Sequence, residues 1–139
     1  LGNNFRCGGR GMTTSYEAAR ILELNNVPVN IVEMRQYNEE IISSSRIRNA
    51  LASGDFNIVN KMLNGVFSLE IADIPQIIRD KTIIIETKNI KQVLPPQGHY
   101  VVRIGTLNSL QKCKILITAN EILVPAQDMH KLEHIIFLE

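Results

Sequence analysis

At 139 residues the chain can bury one good core or two small ones, and its apolar share of 45% is ordinary for a globular protein. Fifteen basic against fourteen acidic side chains leave a formal charge of +1, which argues against general affinity for nucleic acid or membrane surfaces. Cys7 and Cys113 form neither a metal-ligand cluster nor a disulfide pattern, no apolar run approaches the roughly 20 residues of a membrane span, and no secretory leader is visible, so a cytoplasmic protein with reduced thiols is expected.

The opening segment Gly2-Asn3-Asn4-Phe5-Arg6-Cys7-Gly8-Gly9-Arg10-Gly11 has four glycines in ten residues. These let backbone approach a ligand closely, while Arg6 and Arg10 add positive charge. Thr14 and Glu17 have the spacing of a capping box and predict a helix through Leu24, with Ala18, Ile21 and Leu22 as its apolar stripe and Asn25-Asn26 as its end. Val29 to Met34 reads as a strand and Gln36 to Glu40 as a polar loop. Ser43, Ser44 and Ser45 then lead into a helix with Arg46 and Arg48 in its first turn. Unpaired N–H groups and partial positive charge make such a terminus a seat for phosphate, serine caps it, and arginine can fork onto phosphate oxygens. The same pattern also suits an ordinary capped surface helix.

This helix pairs Ile47 with Leu51 and stops at Gly54; Asp55 caps the next, whose expected buried face is Ile58, Val59, Met62 and Leu63 before Asn64-Gly65. Residues 66–80 read as a joining segment in which Ile71 to Ile78 form a short helix or strand. From Thr82 the period changes: 82–85, 100–104, 114–118, 122–124 and 134–138 are β-branched runs separated by turn residues at 95–98, 105–108 and 118–120. Short strands at such spacing predict a small antiparallel barrel. Tyr100 and Phe137 read as core, and His99, His130 and His134 share no metal-ligand spacing.

Ile42-Ser43-Ser44-Ser45-Arg46-Ile47-Arg48-Asn49-Ala50-Leu51-Ala52-Ser53-Gly54-Asp55-Phe56 resembles the ISSTRIR segment of the prokaryotic bifunctional riboflavin kinase/FMN adenylyltransferases, the FAD synthetases. The Gly2–Gly11 loop is similar to that family's G-x-D-F-x-F-G-x-x-R-x-G loop, with Asn4 in place of aspartate and Cys7 in place of phenylalanine. Leu94-Pro95-Pro96-Gln97-Gly98-His99-Tyr100-Val101-Val102 resembles its L-P-x-x-G-V-Y-A-V strand entry, and Glu86-Thr87-Lys88-Asn89 falls where P-T-A-N would stand. The resemblance implies an α/β fold followed by mainly β structure. Residues 1–65 would be the second half of a Rossmann-like nucleotidyltransferase domain, which the helix–strand–helix–helix order fits, and 81–139 a divergent or truncated riboflavin kinase-like barrel.

The implied function is FAD biosynthesis by adenylyl transfer from ATP to FMN, with ATP, Mg²⁺ and FMN, FAD or riboflavin as ligands and no nucleic-acid or membrane partner. Ser43, Ser44, Ser45, Arg46 and Arg48 would hold ATP phosphates; Asn4, Phe5, Arg6, Gly8 and Arg10 would approach the flavin or its phosphate. Thr87 and Asn89 would match the Mg²⁺-binding pair and Glu133 the glutamate that activates the riboflavin hydroxyl. Turn formation for Thr87 and Asn89, and a solvated surface position for Glu133, are the alternatives. The chain begins at Leu1 inside the resemblance and lacks the family's upstream H-x-G-H element, so a fragment without transfer activity of its own is expected. The alternative function is a non-catalytic nucleotide- or flavin-binding module with an eroded kinase site.

Overall fold

The computed structural model describes residues 1–106, 109–125 and 131–138, which fall into two compact units, Leu1–Ile42 and Ser43–Glu139. Leu107 and Asn108 of the expected 105–108 turn, and His130, lie outside the described residues.

The first unit is built from local hydrogen bonds. Strands β1 (Arg6–Cys7) and β2 (Thr13–Thr14) pair antiparallel, Arg6 opposite Thr14 and Cys7 opposite Thr13. The turn between them reverses through left-handed backbone at Gly8 (φ 77°) and Arg10 (φ 61°), a conformation open to glycine and uncommon for arginine. Thr14 then caps α1 (Ser15–Leu24). Its hydroxyl accepts the Glu17 N–H at 3.3 Å, and its own N–H donates to the Glu17 carboxylate at 2.7 Å. The capping box and the helix end at Asn25 are as the sequence predicts.

The strand expected over Val29 to Met34 does not form; Val32 makes one parallel bridge to Gly2 and is 57% exposed. The expected polar loop is instead a hairpin of β3 (Gln36–Tyr37) and β4 (Glu40–Ile41), turning through Asn38 and Glu39, both at positive φ. That is the backbone of a type I′ turn, whose twist matches paired strands. These findings correct the expected half of a Rossmann-like domain. A parallel sheet is buried on both faces by helices, whereas no residue of the segment 29–34 is buried.

In the second unit Ser43 caps α2 (Ser44–Ala52) and Asp55 caps α3 (Phe56–Leu63), the latter accepting the Ile58 N–H at 3.0 Å. The buried face of α3 is Phe56, Val59 and Met62, while Leu63 is 45% exposed and Ile58 half-buried. The stripe thus starts two residues earlier than expected, because Phe56 anchors it.

Strands β5 (Ser68–Glu70), β6 (Ile77–Arg79), β7 (Thr82–Glu86), β8 (Gly98–Thr106), β9 (Ser109–Ile117), β10 (Glu121–Pro125) and β11 (His134–Phe137) form one antiparallel sheet. Its order is β5-β11-β8-β9-β10-β7-β6, curled into a half-barrel. The five β-branched runs become β7 to β11, and residues 66–80 contribute β5 and β6.

Alternation fixes the inner face: Ile83 and Ile85, Val102 and Ile104, Ile115 and Ile117, Ile122 and Val124, and Ile135 and Phe137 are all buried. Each such side chain contributes about 1.5–3 kcal/mol. Leu51, Phe56 and Val59 of the helices belong to the same apolar cluster, so the helix pair packs with the sheet. Phe56 stacks on Phe137 with centroids 5.0 Å apart, and Phe67 and Tyr100 complete the group. One amide ties the ends of the sheet together. Gln76 donates from Nε2 to the carbonyls of Ile71 (3.1 Å) and Leu132 (2.7 Å), and its Oε1 accepts the Leu132 N–H at 2.9 Å.

Candidate functional site

The serine-arginine segment is the first turn of α2. Ser43 Oγ accepts the Arg46 N–H at 3.2 Å and is therefore occupied by the cap. Ser44 and Ser45 are exposed, and the backbone N–H groups of this first turn have no acceptor within the helix. Arg48 Nη2 lies 3.5 Å from Ser45 Oγ, which holds the exposed guanidinium beside the serine hydroxyls. Arg46 is half-buried and has an interaction of its own. The segment therefore gathers two hydroxyls, a guanidinium and a positive helix end on one solvent-facing turn.

Asn4, Phe5, Arg6, Gly8 and Arg10 lie in the first unit, all exposed. Arg6 is committed by backbone to β1, and its charge helps hold the Glu17 carboxyl below its ordinary range, behind the larger effects of the Thr14 backbone and side-chain hydrogen bonds. A cavity of about 580 Å³ on α1 is lined by Met12, Thr13, Glu17, Arg20, Ile21 and Leu24, beside the glycine-rich turn rather than inside it.

Thr87 and Asn89 form a 3₁₀ turn after β7. The Thr87 hydroxyl donates to the Ala119 carbonyl at 2.9 Å, and Asn89 Nδ2 donates to Glu86 Oε2 at 3.2 Å. Glu86 also takes Lys88 at 3.0 Å. Both residues thus do the structural work of closing the strand. Asn89 also lines a cavity of about 430 Å³ with Glu70, Asp73, Ile74, Lys91 and Gln92. Glu133 is half-buried just before β11, its backbone tied to Gly105 and Ile71. Among the described residues no hydrogen bond joins it to Thr87 or Asn89, and no cluster of His, Cys, Asp and Glu is arranged to hold a metal ion.

Two features escaped the sequence reading. His134 Nδ1 sits 2.7 Å from Glu70 Oε2 across the β11–β5 pair. The Gln76 clamp spans 56 residues of sequence. Only the strand register reveals either. Burial pushes the Cys113 thiol up, which reduces its thiolate character, and burial likewise raises the Tyr100 hydroxyl, which donates to the Pro96 carbonyl at 2.6 Å.

The unit from Ser43 on is a curled antiparallel half-barrel with a helix pair against it. Its inner face is filled by apolar side chains, so its exposed chemistry lies on α2, on the strand ends and on the outer face. No family model matches the chain, and no curated protein matches it. A solved structure that shares the fold is the "Macrolide-efflux Protein from Streptococcus pneumoniae", with a TM-score of 0.67 at 16% identity over 98% of this chain. The chain spans about half (48%) of that chain's length.

These comparisons overturn the family resemblance drawn from the short motifs. Neither a family model nor a curated protein carries it, and this solved structure is described as a macrolide-efflux protein; none of the comparisons supports FAD synthetase, FMN adenylyltransferase or riboflavin kinase as a description of this chain. Local physics accounts for the motifs that suggested it. Ser43 caps α2, Gly8 and Gly11 supply positive φ, and Thr87 with Asn89 shapes a turn. Among the described residues no helix is long and apolar enough to cross a membrane.

Proposed function

We propose that this chain is a non-catalytic cytoplasmic module that binds a phosphorylated small molecule of the nucleotide or flavin-mononucleotide kind at the first turn of α2. The observation that carries the reading is the placement of the Arg48 guanidinium against Ser45 Oγ at the capped N-terminus of a nine-residue helix. A phosphate there meets hydroxyl donors, backbone N–H groups and a guanidinium without rearrangement. Arg46 is half-buried with a partner, so Arg48 is the cation that meets the ligand.

The test is a titration of the chain with ATP, with and without Mg²⁺, and with FMN followed by flavin fluorescence. Arg48→Ala should weaken phosphate-ligand binding by about 1.5–3 kcal/mol, the range for hydrogen bonds to charged groups. Ser45→Ala should weaken it by less. Unchanged affinity in a folded Arg48→Ala protein would sink the assignment. Tight riboflavin binding with no gain from the phosphate of FMN would move the site away from α2.

A further inference from the structure

The outer face of the half-barrel carries a pattern that the core does not need. Strand register places Ile77 beside Ile84, Ile84 beside Leu123, Leu123 beside Leu116 and Leu116 beside His99, one row running across five strands. Ile77 is 51% exposed, and Ile84, Leu123 and Leu116 are half-buried. An outward strand position ordinarily carries a polar side chain, so four aliphatic residues in succession there, before His99, form a feature to be explained.

Charge is sorted on either side of this row. Two residues along the strands in one direction stand Glu86 and Glu121, directly opposite each other. Two residues in the other direction stand Arg79, Thr82, Pro125 and Lys114. Like charges facing across a strand pair repel. Lys88 relieves Glu86 at 3.0 Å, whereas among the described residues no cation pairs with Glu121. Lys114 is exposed, and it borders a hollow of about 250 Å³ with Thr82, His99, Leu116, Leu123 and Pro125.

We propose that this face docks a second copy of the same chain, across a two-fold axis running along the aliphatic row. Rotation about that line lays row on row and exchanges the two flanks. Glu121 of each copy then enters the hollow at Lys114 of the other, and strands of the two sheets run antiparallel, the aligned mode of sheet packing. A two-fold axis along the strands would instead set acid on acid, so the charge pattern selects one arrangement. Strand and residue spacings give a patch on the order of 20 Å by 14 Å. That is below the roughly 800 Å² per partner of a standard interface, so the dimer is weak and concentration-dependent.

Within one chain Glu121 and Lys114 sit on opposite flanks of the row, so reversing either one leaves the other's surroundings unchanged. Sedimentation velocity from about 10 µM to about 1 mM reads the association. The chain should self-associate at the upper end. Glu121→Lys and Lys114→Glu should each raise the dissociation constant about tenfold or more by setting like charges together. The double variant should return it toward the starting value. Raising salt to about 0.5 M should weaken the unmodified dimer, a readout that needs no variant. A chain monomeric throughout the range would overturn the proposal, as would association indifferent to both reversals and to salt.

Discussion

In the unit from Ser43 onward, almost every strand sends its inward residues into one apolar cluster, and Leu69, Ile83, Ile85, Val102, Ile122, Val124, Ile135 and Phe137 have no exposed surface at all. In the unit from Leu1 to Ile42, only Ala19 and Ser15 are buried among the described residues. Order there comes from the capping box at Thr14 and Glu17, the hairpin turn at Asn38 and Glu39, and the Ser15 hydroxyl donating to the Asn3 carbonyl at 3.0 Å. Burial of a large aliphatic side chain is worth about 1.5–3 kcal/mol and a single hydrogen bond about 1 kcal/mol net. The comparison teaches that secondary structure and stability are separable. Both units have helix and strand, but only the second has the burial that makes unfolding cooperative.

Breaking the second unit should therefore cost most. Phe137→Ala removes the ring stacked 5.0 Å from Phe56, and should destabilise the unit by about 3–5 kcal/mol in urea denaturation followed by near-ultraviolet signal from Tyr100. Gly105→Ala should follow at about 2–3 kcal/mol, since Gly105 has φ 140° and an added Cβ would lie 2.0 Å from the Ser109 carbonyl oxygen. Thr14→Ala should cost about 1 kcal/mol and act only on α1, read by amide exchange of Glu17 and its neighbours. An equal loss of protection in the strands would mean that the units unfold as one.

The smallest effect is a pH dependence. Hydrogen bonds from the Thr14 backbone and side chain hold Glu17 below its ordinary value of 4.5. A depressed carboxyl pKa stabilises above the unfolded value, and that support is lost as pH falls through the folded one. Protection of α1 amides should thus decline below about pH 4.5, and Glu17→Gln should flatten the decline.

Legibility followed the same division. Runs of β-branched residues bounded by turn residues marked β7 to β11, because such side chains fit a pleated, half-buried surface. The caps at Thr14, Ser43 and Asp55 were readable because a side chain acts on backbone three residues away. Val29 to Met34 misled because β-branched residues state a need for burial without naming a partner. β5 and β6 were hidden at three residues each, too short for a period. At the candidate site, Ser43 through Arg48 were legible as a helix start, whereas the commitment of Thr87 to Ala119 depends on a strand pairing distant in sequence. The family resemblance failed for a related reason: glycine, serine and arginine in short loops are chosen by turns and caps in many folds.

The Gln76 side chain stands in for a piece of backbone, offering both donor and acceptor to Leu132 and a second donation to Ile71. This makes the position intolerant in a way its half-buried, polar character does not suggest. Glutamate has the same shape but would turn a carboxylate oxygen toward two carbonyls; methionine would fill the space and leave the Leu132 N–H and carbonyl without their partner, the Ile71 carbonyl keeping the Ile74 N–H; asparagine is one methylene short. In a library covering every amino acid at each site, selected for folded protein, position 76 should accept almost nothing but glutamine, while its exposed neighbours Pro75 and Ile77 vary. An evolutionary record of this fold would then carry its clearest mark not in the serines and arginines that invite a ligand, but in one amide that completes the sheet.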